Sequence, residues 1–218
     1  MEFDFTSITR AAPFLVEGMG TTLKLTLLAV VLGFALGTLL TVARLSSIKV
    51  VSLVATLYVN GIRAVPLIMV IFWIYFLLPV LSGHQVGAFN SALIAFVLFE
   101  GAYFSEIIRA GVKSISRGQM QAALASGMSY LQGMRLVVLP QAFRKMLPVL
   151  LTQSIALFQD TSLVYVVGLM DFLTAASTIA SRDGRLVELY SFAAVVYLVM
   201  CLLASFLTAR LAKRMSLT

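Results

Sequence analysis

Ionisable side chains stand inside otherwise apolar stretches of this chain. Arg63, Glu100 and Asp160 each lie among hydrophobic residues. A charged group within a membrane is costly, and it usually marks a solute pathway or an internal ion pair. A guanidinium can hold a carboxylate through two parallel hydrogen bonds, and a carboxylate can accept from an ammonium group. These three residues are therefore candidates for contacting a polar solute.

Asp160 has the richest polar surroundings of the three. Thr161 and Ser162 follow it directly, and Gln153 precedes it by seven residues, a spacing that puts both side chains on one face of a helix. One interpretation is that this face lines a solute path. The other is a hydrogen-bond network between helices, because Ser, Thr and Gln commonly join membrane helices.

Arg63 and Glu100 leave similar alternatives open. Arg63 could contact the solute, snorkel toward the membrane surface or form a salt bridge with Glu100. Glu106 is expected near the cytoplasmic end of its span, where Arg109, three residues on, can pair with it.

A polar segment, residues 118–140, interrupts the apolar chain, and we call it the docking segment. Its small residues allow another protein to approach the backbone closely; they are Ala122, Ala123, Ala125, Ser126 and Gly127. The pattern predicts an element that faces the cytoplasm and receives a partner. A second short amphipathic helix is predicted from about Ser129 to Val138, with Pro140 interrupting it.

The composition indicates which elements must position these residues. Apolar residues make up 61% of the 218 positions and charged residues 11%, and the mean hydropathy is +1.01. Such a chain is an integral membrane protein. Because a span needs about 20 mostly apolar residues, the sequence predicts an all-α fold with about five spans. They lie near residues 22–43, 64–81, 90–108, 147–169 and 189–209.

The basic residues predict the orientation of these spans. With the N-terminus outside and the C-terminus inside, 11 of the 16 Lys and Arg residues face the cytoplasm. The outer loop at 82–89 has none. The net charge of +7 then reflects this bias and attraction to lipid headgroups, and it is no sign of nucleic-acid binding.

Two further features concern the first half of the chain. Residues 50–81 are too long for one crossing, and Pro66 disfavours helical geometry at Val65. We therefore expect a helix to about Ile62, a bend and then a crossing helix. The acidic start, residues 1–5, lacks a basic region, so no cleaved signal peptide is expected.

The docking segment and its flanks resemble the cytoplasmic signature of ABC importer permeases. That signature has the pattern Glu-Ala-Ala, three residues, Gly, and Leu-Pro further on. The matching residues are Glu106-Ile-Ile-Arg-Ala-Gly111, Gly118-Gln119, Ala122-Ala123, Gly127 and Leu139-Pro140-Gln141-Ala142. The resemblance implies a MetI-like fold of type I importers, with one transmembrane domain over residues 1–218 and a coupling helix in about 116–141.

Other segments resemble the polar amino acid uptake branch of that family. They are Arg63-Ala-Val-Pro66-Leu67 and Gln159-Asp160-Thr161-Ser162-Leu163. Further motifs resemble members that import glutamate and aspartate by alternating access, although glutamine or another polar amino acid stays an alternative. These motifs are Leu150-Leu-Thr-Gln153, Leu157–Val166, Asp171-Phe172, Ala176-Ser-Thr-Ile179 and Arg182-Asp-Gly184.

The resemblance also implies a set of partners in the inner membrane. The chain has no Gly-x-x-x-x-Gly-Lys-Ser/Thr segment, so a separate ATPase dimer would bind ATP and Mg²⁺ and hydrolyse the nucleotide, and this chain would be no enzyme. A periplasmic binding protein would deliver the amino acid. A second, paralogous permease would complete the pathway, because five spans enclose one poorly, although a homodimer stays open.

Two sets of site residues follow from this resemblance. The substrate would contact Arg63, Gln153, Asp160, Thr161 and Ser162, and Glu100 is the weakest candidate of the set. The ATPase would meet Gln119, Gln121, Ala122, Ala123 and Gly127. Gln121 stands where the signature has Glu, so a contact there would be a neutral hydrogen bond rather than an ion pair.

Two other classes of function are alternatives. A stand-alone secondary transporter or channel would use Arg63, Glu100 and Asp160 for ion coupling, but the chain is small and shows no inverted repeat. A membrane-embedded enzyme lacks support, because the sequence has no Cys/His cluster, metal-ligand spacing or activated Ser–His pair.

Overall fold

The computed structural model describes residues 6–216, and every regular element in that range is helical. The acidic start, on which the signal-peptide prediction rests, lies outside the described residues. The α-helices are α1 (Thr6–Arg10), α2 (Ala12–Arg44), α3 (Lys49–Arg63), α4 (Leu67–Phe72), α5 (Leu78–Ser82), α6 (Ala88–Lys113), α7 (Arg117–Ala125), α8 (Tyr130–Gly133), α9 (Leu139–Asp160), α10 (Phe172–Asp183) and α11 (Leu186–Ser216). Wider π-helical turns occupy Trp73–Leu77 and Met134–Val138, and a tighter 3-10 segment occupies Thr161–Val167.

Within residues 6–216, four helical runs are long and apolar enough to cross a membrane. They are Ala12–Arg44, Ala88–Lys113, Tyr130–Val167 and Leu186–Arg214. The bent pair Lys49–Arg63 and Leu67–Ser82 makes a fifth crossing if it counts as one span. The predicted all-α membrane fold with about five spans is thus confirmed.

The second span is broken between α3 and α4, and the segments Lys49–Arg63 and Leu67–Ser82 are bent by 107° relative to each other. Pro66 precedes the first turn of α4 with φ −59° and ψ 136°, which is extended backbone. A proline also disfavours helical geometry at the residue before it, so the helix cannot pass through Val65 and Pro66. The predicted bend is confirmed, and the first helix extends one residue beyond the expected Ile62, to Arg63.

Among the described helices, α2 and α6 have the most extensive contact, and small residues let them approach closely. A Cβ at Gly37 would come within 2.7 Å of the Phe104 Cβ and 2.9 Å of the Ser105 nitrogen. One turn on, the Thr41 hydroxyl donates to the Ser105 carbonyl oxygen at 3.0 Å. Gly33 and Gly37 form a small-xxx-small pair, which lets membrane helices pack backbone to backbone.

The docking segment contains one short helix, α7, and the capped start of a second helix. The Ser116 hydroxyl accepts from the Gly118 nitrogen at the start of α7, and Gly127 follows its end with φ +83°. Ser129 and Gln132 then form a reciprocal capping box that starts α8. The predicted start of a second helix near Ser129 is therefore confirmed.

The prediction that Pro140 interrupts this helix is wrong. The chain is one helical run from Tyr130 to Val167, and Pro140 lies in the first turn of α9. The π-helical turn Met134–Val138 directly precedes it. A wider turn shifts the hydrogen-bond pattern, so the missing N–H of Pro140 falls where the pattern changes and the helix continues.

At the opposite end, α9 passes into α10 through a sharp reversal. Gly168 takes φ +70°, and Asp171 caps α10 by accepting from the Thr174 nitrogen at 2.9 Å. The Thr22 hydroxyl oxygen of α2 accepts from the Phe172 nitrogen at 3.0 Å. Burial raises the pKa of the Asp171 carboxyl, while the hydrogen bonds from Thr174 and Leu173 oppose that shift. These contacts fix the turn that follows the polar end of α9.

Candidate functional site

Glu100 and Gln153 meet between α6 and α9, although 53 residues separate them in sequence. The Gln153 side-chain nitrogen lies 3.1 Å from one Glu100 carboxyl oxygen and 3.3 Å from the other. The Glu100 side chain has no exposed surface. Gln153 remains half-buried, so the exposed part of the pair belongs to the α9 residue.

Asp160 extends this polar face toward the end of α9. It is half-buried and interacts electrostatically with Glu100. Thr161 is fully buried and its hydroxyl donates to the Phe158 carbonyl oxygen at 2.7 Å, whereas Ser162 is half-buried. We call Glu100, Gln153 and Asp160 the polar strip, because the first two are hydrogen-bonded and Asp160 follows Gln153 by seven residues on the same helix face. The Thr161 hydroxyl turns back onto the chain that precedes it.

Arg63 belongs to a different cluster, beside Glu106. Its Nη1 lies 3.8 Å from a Glu106 carboxylate oxygen, and its guanidinium covers the Tyr103 ring at 5.2 Å from the ring centre. Arg63 therefore forms its salt bridge with Glu106 and not with Glu100, which was one of the alternatives. Arg63 remains partly exposed, at 35% of its side chain, so it can still reach a solute.

Glu106 is the centre of this second cluster, which holds three guanidinium groups. Arg44 donates to it at 2.8 Å, and Arg109 donates to its other carboxylate oxygen. The predicted Glu106–Arg109 pair is confirmed. The sequence analysis did not identify Arg44 as a partner of Glu106. The available signal was that Arg44 lies at the end of one apolar span and Glu106 near the predicted end of another. The cluster joins the ends of α2, α3 and α6.

The docking segment presents only some of its predicted contact residues at the surface. Gln121, Ala122 and Gly127 are exposed, and the exposed Gln119 accepts from the Gln141 side chain at 3.1 Å. Ala123 is only 5% exposed. It packs inside the chain against α8, where a Cβ on Gly133 would lie 3.2 Å from its methyl group. Ala123 thus joins α7 to α8 and does not face outward.

Sequence reasoning overlooked the small residues of α2. Gly33 lies over the Glu100 side chain, so that a Cβ at this position would stand 3.1 Å from the Glu100 Cβ. The pair Gly33-x-x-x-Gly37 in an apolar span was the signal that could have revealed this contact. Among residues 6–216, no group of three or more His, Cys, Asp or Glu side chains could hold a metal ion.

Comparison with known proteins agrees with this architecture. The family described as binding-protein-dependent transport system inner membrane component matches residues 29–217. The glutamate/aspartate import permease protein GltK of Escherichia coli O157:H7 is 52% identical over 220 residues, which cover 98% of each chain. The glutamine transport system permease protein GlnP of Escherichia coli strain K12 is 35% identical over 218 residues and the full length of both chains.

A solved structure has a similar three-dimensional fold. The crystal structure of an amino acid ABC transporter with histidines contains a chain that is 36% identical to this one. The two superpose with a TM-score of 0.93, over 98% of this chain and 100% of the other.

Proposed function

The chain belongs to the family of binding-protein-dependent transport system inner membrane components, and on that premise we propose that it is the permease subunit of an ATP-driven importer of glutamate and aspartate. The carrying observation is the 52% identity with a glutamate/aspartate import permease along nearly the whole chain. A glutamine permease is more distant, at 35% identity. Glutamine is therefore the second candidate substrate.

The polar strip supports a site for an amino acid within the membrane. In this proposal Asp160 and the Gln153 carbonyl oxygen accept from the ammonium group, and Ser162 contributes a hydroxyl. Arg63 holds a carboxylate on the cytoplasmic side of the path, since its guanidinium is partly exposed. Thr161 acts through the backbone of α9, because its hydroxyl is already bonded to Phe158.

The docking segment supports coupling to a separate ATPase dimer that binds ATP and Mg²⁺. Gln121, Ala122 and Gly127 form the proposed contact surface with Gln119 at its edge. Alternating access would follow from two arrangements of the helices, of which the nucleotide state of the ATPase favours one. Ala123 supports this surface from within by holding α7 against α8.

The remaining partners and the orientation are part of the same proposal. Residues 1–218 form one transmembrane domain with the N-terminus in the periplasm and the C-terminus in the cytoplasm. A paralogous permease completes the pathway, and a periplasmic binding protein delivers the substrate. The α11 helix exposes a broad apolar face that a second permease or lipid would cover; it includes Leu198, Leu202, Leu203, Phe206 and Leu207.

Reconstitution tests the function directly. The chain, its second permease and its ATPase would be placed in proteoliposomes with the binding protein outside, and uptake of labelled glutamate, aspartate and glutamine would be measured. We expect glutamate and aspartate to enter only with ATP inside. Uptake of glutamine alone would refute the substrate, and uptake by this chain without the ATPase would favour a stand-alone transporter.

A further inference from the structure

Glu100 is enclosed in a way that prevents it from touching a solute in this conformation. Its side chain has no exposed surface, and the α2 backbone at Gly33 closes over it. Within residues 6–216, its side-chain hydrogen bonds come from Gln153 alone. A buried carboxyl group that is hydrogen-bonded to a single amide can fix the orientation of that amide.

The bonds from Gln153 determine which way its amide faces. Its nitrogen lies within 3.3 Å of both Glu100 carboxyl oxygens, so the NH₂ end points toward α6. The carbonyl oxygen and the nitrogen of an amide lie on opposite sides of one carbon. The Gln153 carbonyl oxygen therefore points away from Glu100, and no donor among the described residues reaches it.

We propose that Glu100 is a positioning residue that fixes the Gln153 amide with its carbonyl oxygen toward the solute, where it recognises the α-ammonium group of the amino acid. This inference rests on the proposed function. Asp160, which shares the face of α9 with Gln153, supplies the negative charge beside it. Gln153 and Asp160 then present only acceptors to the bound solute, and those acceptors select a primary ammonium group.

A substrate without that ammonium group is at a disadvantage at such a strip. Glutarate has the two carboxylates of glutamate but no ammonium group, so it would leave the Gln153 oxygen and Asp160 unpaired and place negative charge near a carboxylate. A site built around a polar group rejects an analogue lacking that group, because its own buried polar atoms lose their partner. A strong preference for glutamate over glutarate therefore indicates that the Gln153 carbonyl oxygen faces the solute.

Glu100→Gln is the variant that should allow the Gln153 amide to turn over. An amide at position 100 can donate to the Gln153 oxygen as well as accept from its nitrogen, so both orientations become possible. Glu100→Asp retains a carboxyl that only accepts when ionised, and it serves as the conservative rescue. Ser154→Ala is the matched control, because that neighbouring hydroxyl bonds to the Leu150 carbonyl oxygen of its own helix.

The experiment uses the assembled complex of both permeases and the ATPase, purified without the binding protein. Binding of labelled glutamate is measured by equilibrium dialysis, with unlabelled glutamate or glutarate as competitor. We expect Glu100→Gln to reduce the preference for glutamate over glutarate about tenfold, while Glu100→Asp and Ser154→Ala keep it. If Glu100→Gln fails to assemble, Gln153→Met must show the same loss.

Two outcomes would overturn the proposal. One is an unchanged preference in Glu100→Gln and Gln153→Met. The other is a wild-type complex that binds no glutamate without the binding protein. Neither outcome touches the proposed function, which is decided by ATP-dependent uptake of glutamate and aspartate by the wild-type complex with its binding protein.

Discussion

Arg44 and Glu106, 62 residues apart in sequence, are joined by a 2.8 Å hydrogen bond that ties the end of α2 to α6. Only 6% of the Arg44 side chain is exposed, whereas 24% of the Glu106 side chain is, so water screens this ion pair from the Glu106 side. Arg63 and Arg109 share the same carboxylate. Because one glutamate holds three cations, the ends of three helices depend on a single side chain.

The first prediction concerns this shared carboxylate. Glu106→Gln leaves three guanidiniums without their counter-charge, and because 24% of the Glu106 side chain is exposed, the cost lies between about 1 kcal/mol for a surface pair and about 3 kcal/mol for a buried one. We expect the variant to unfold at a temperature several degrees lower, measured on the purified protein in detergent. Glu17→Gln, an exposed glutamate on α2, is the control and should leave the temperature unchanged. Equal stability of both variants would contradict the role of the cluster.

The second prediction concerns the contact of α2 with α6. Gly37→Leu forces a side chain against the Ser105 backbone nitrogen, which a Cβ already approaches to 2.9 Å. Overpacking of this kind costs about 1–3 kcal/mol. The unfolding temperature and the yield of folded protein should both fall. Gly20→Leu on the same helix meets open space and should change neither; a loss in both variants would point to a general effect of leucine.

The third prediction separates the two faces of α7. Ala122→Arg places a long charged chain on the exposed side, so it should abolish substrate-stimulated ATPase activity of the assembled complex without lowering the unfolding temperature of the permease. Ala123→Leu should lower that temperature, because its methyl group already contacts α8. Full ATPase stimulation in Ala122→Arg would show that the ATPase docks elsewhere.

The fourth prediction concerns Asp160 as a contact for the ammonium group. Asp160→Asn keeps the shape but loses the charge, so uptake of labelled glutamate should fall at least about tenfold, as for a lost hydrogen bond to a charged group. Thr152→Val on the same helix removes an exposed hydroxyl bonded to the Pro148 carbonyl oxygen and is the control. Intact uptake in Asp160→Asn, together with intact uptake in Arg63→Lys, would remove both residues from the site.

The fifth prediction follows from the raised pKa of Asp171. An acid whose pKa is higher in the folded protein than in the unfolded chain binds its proton more tightly when folded. Its contribution to stability is full below the unfolded pKa and is lost as pH rises through the folded pKa. We expect Asp171→Asn, which keeps a side-chain acceptor for α10, to raise the unfolding temperature more at pH 8 than at pH 4. The opposite trend would show that the hydrogen bonds outweigh burial.

Local features of the fold could be predicted from the sequence. The break at Pro66 and the second helix of the docking segment follow from residues within a few positions of each other, since proline geometry and capping act locally. The spans follow from hydropathy alone. Pro140 shows the limit of this reasoning. A proline there was expected to interrupt the helix, but the π-helical turn just before it lets the helix continue.

Contacts between distant helices could not be predicted in the same way. Whether Arg63 meets Glu100 or Glu106 depends on how far α3 reaches along α6 before the bend, which no periodicity reveals. The burial of Ala123 likewise depends on α8 folding back onto α7. Composition indicated that polar groups in the membrane would be paired, and only the packing of the helices decided the partners.

The uninterrupted run from Tyr130 to Val167 has a mechanical consequence. With 38 residues and a rise of about 1.5 Å per residue, it is about 57 Å long, begins in the docking segment and carries Gln153 and Asp160 toward its other end. The chain does not break at Pro140, but Pro148 lies inside α9 and the wider turn Met134–Val138 precedes that helix, and helices bend at such places. A tilt at Tyr130 therefore either moves Gln153 and Asp160 with it or bends the run at one of these two points.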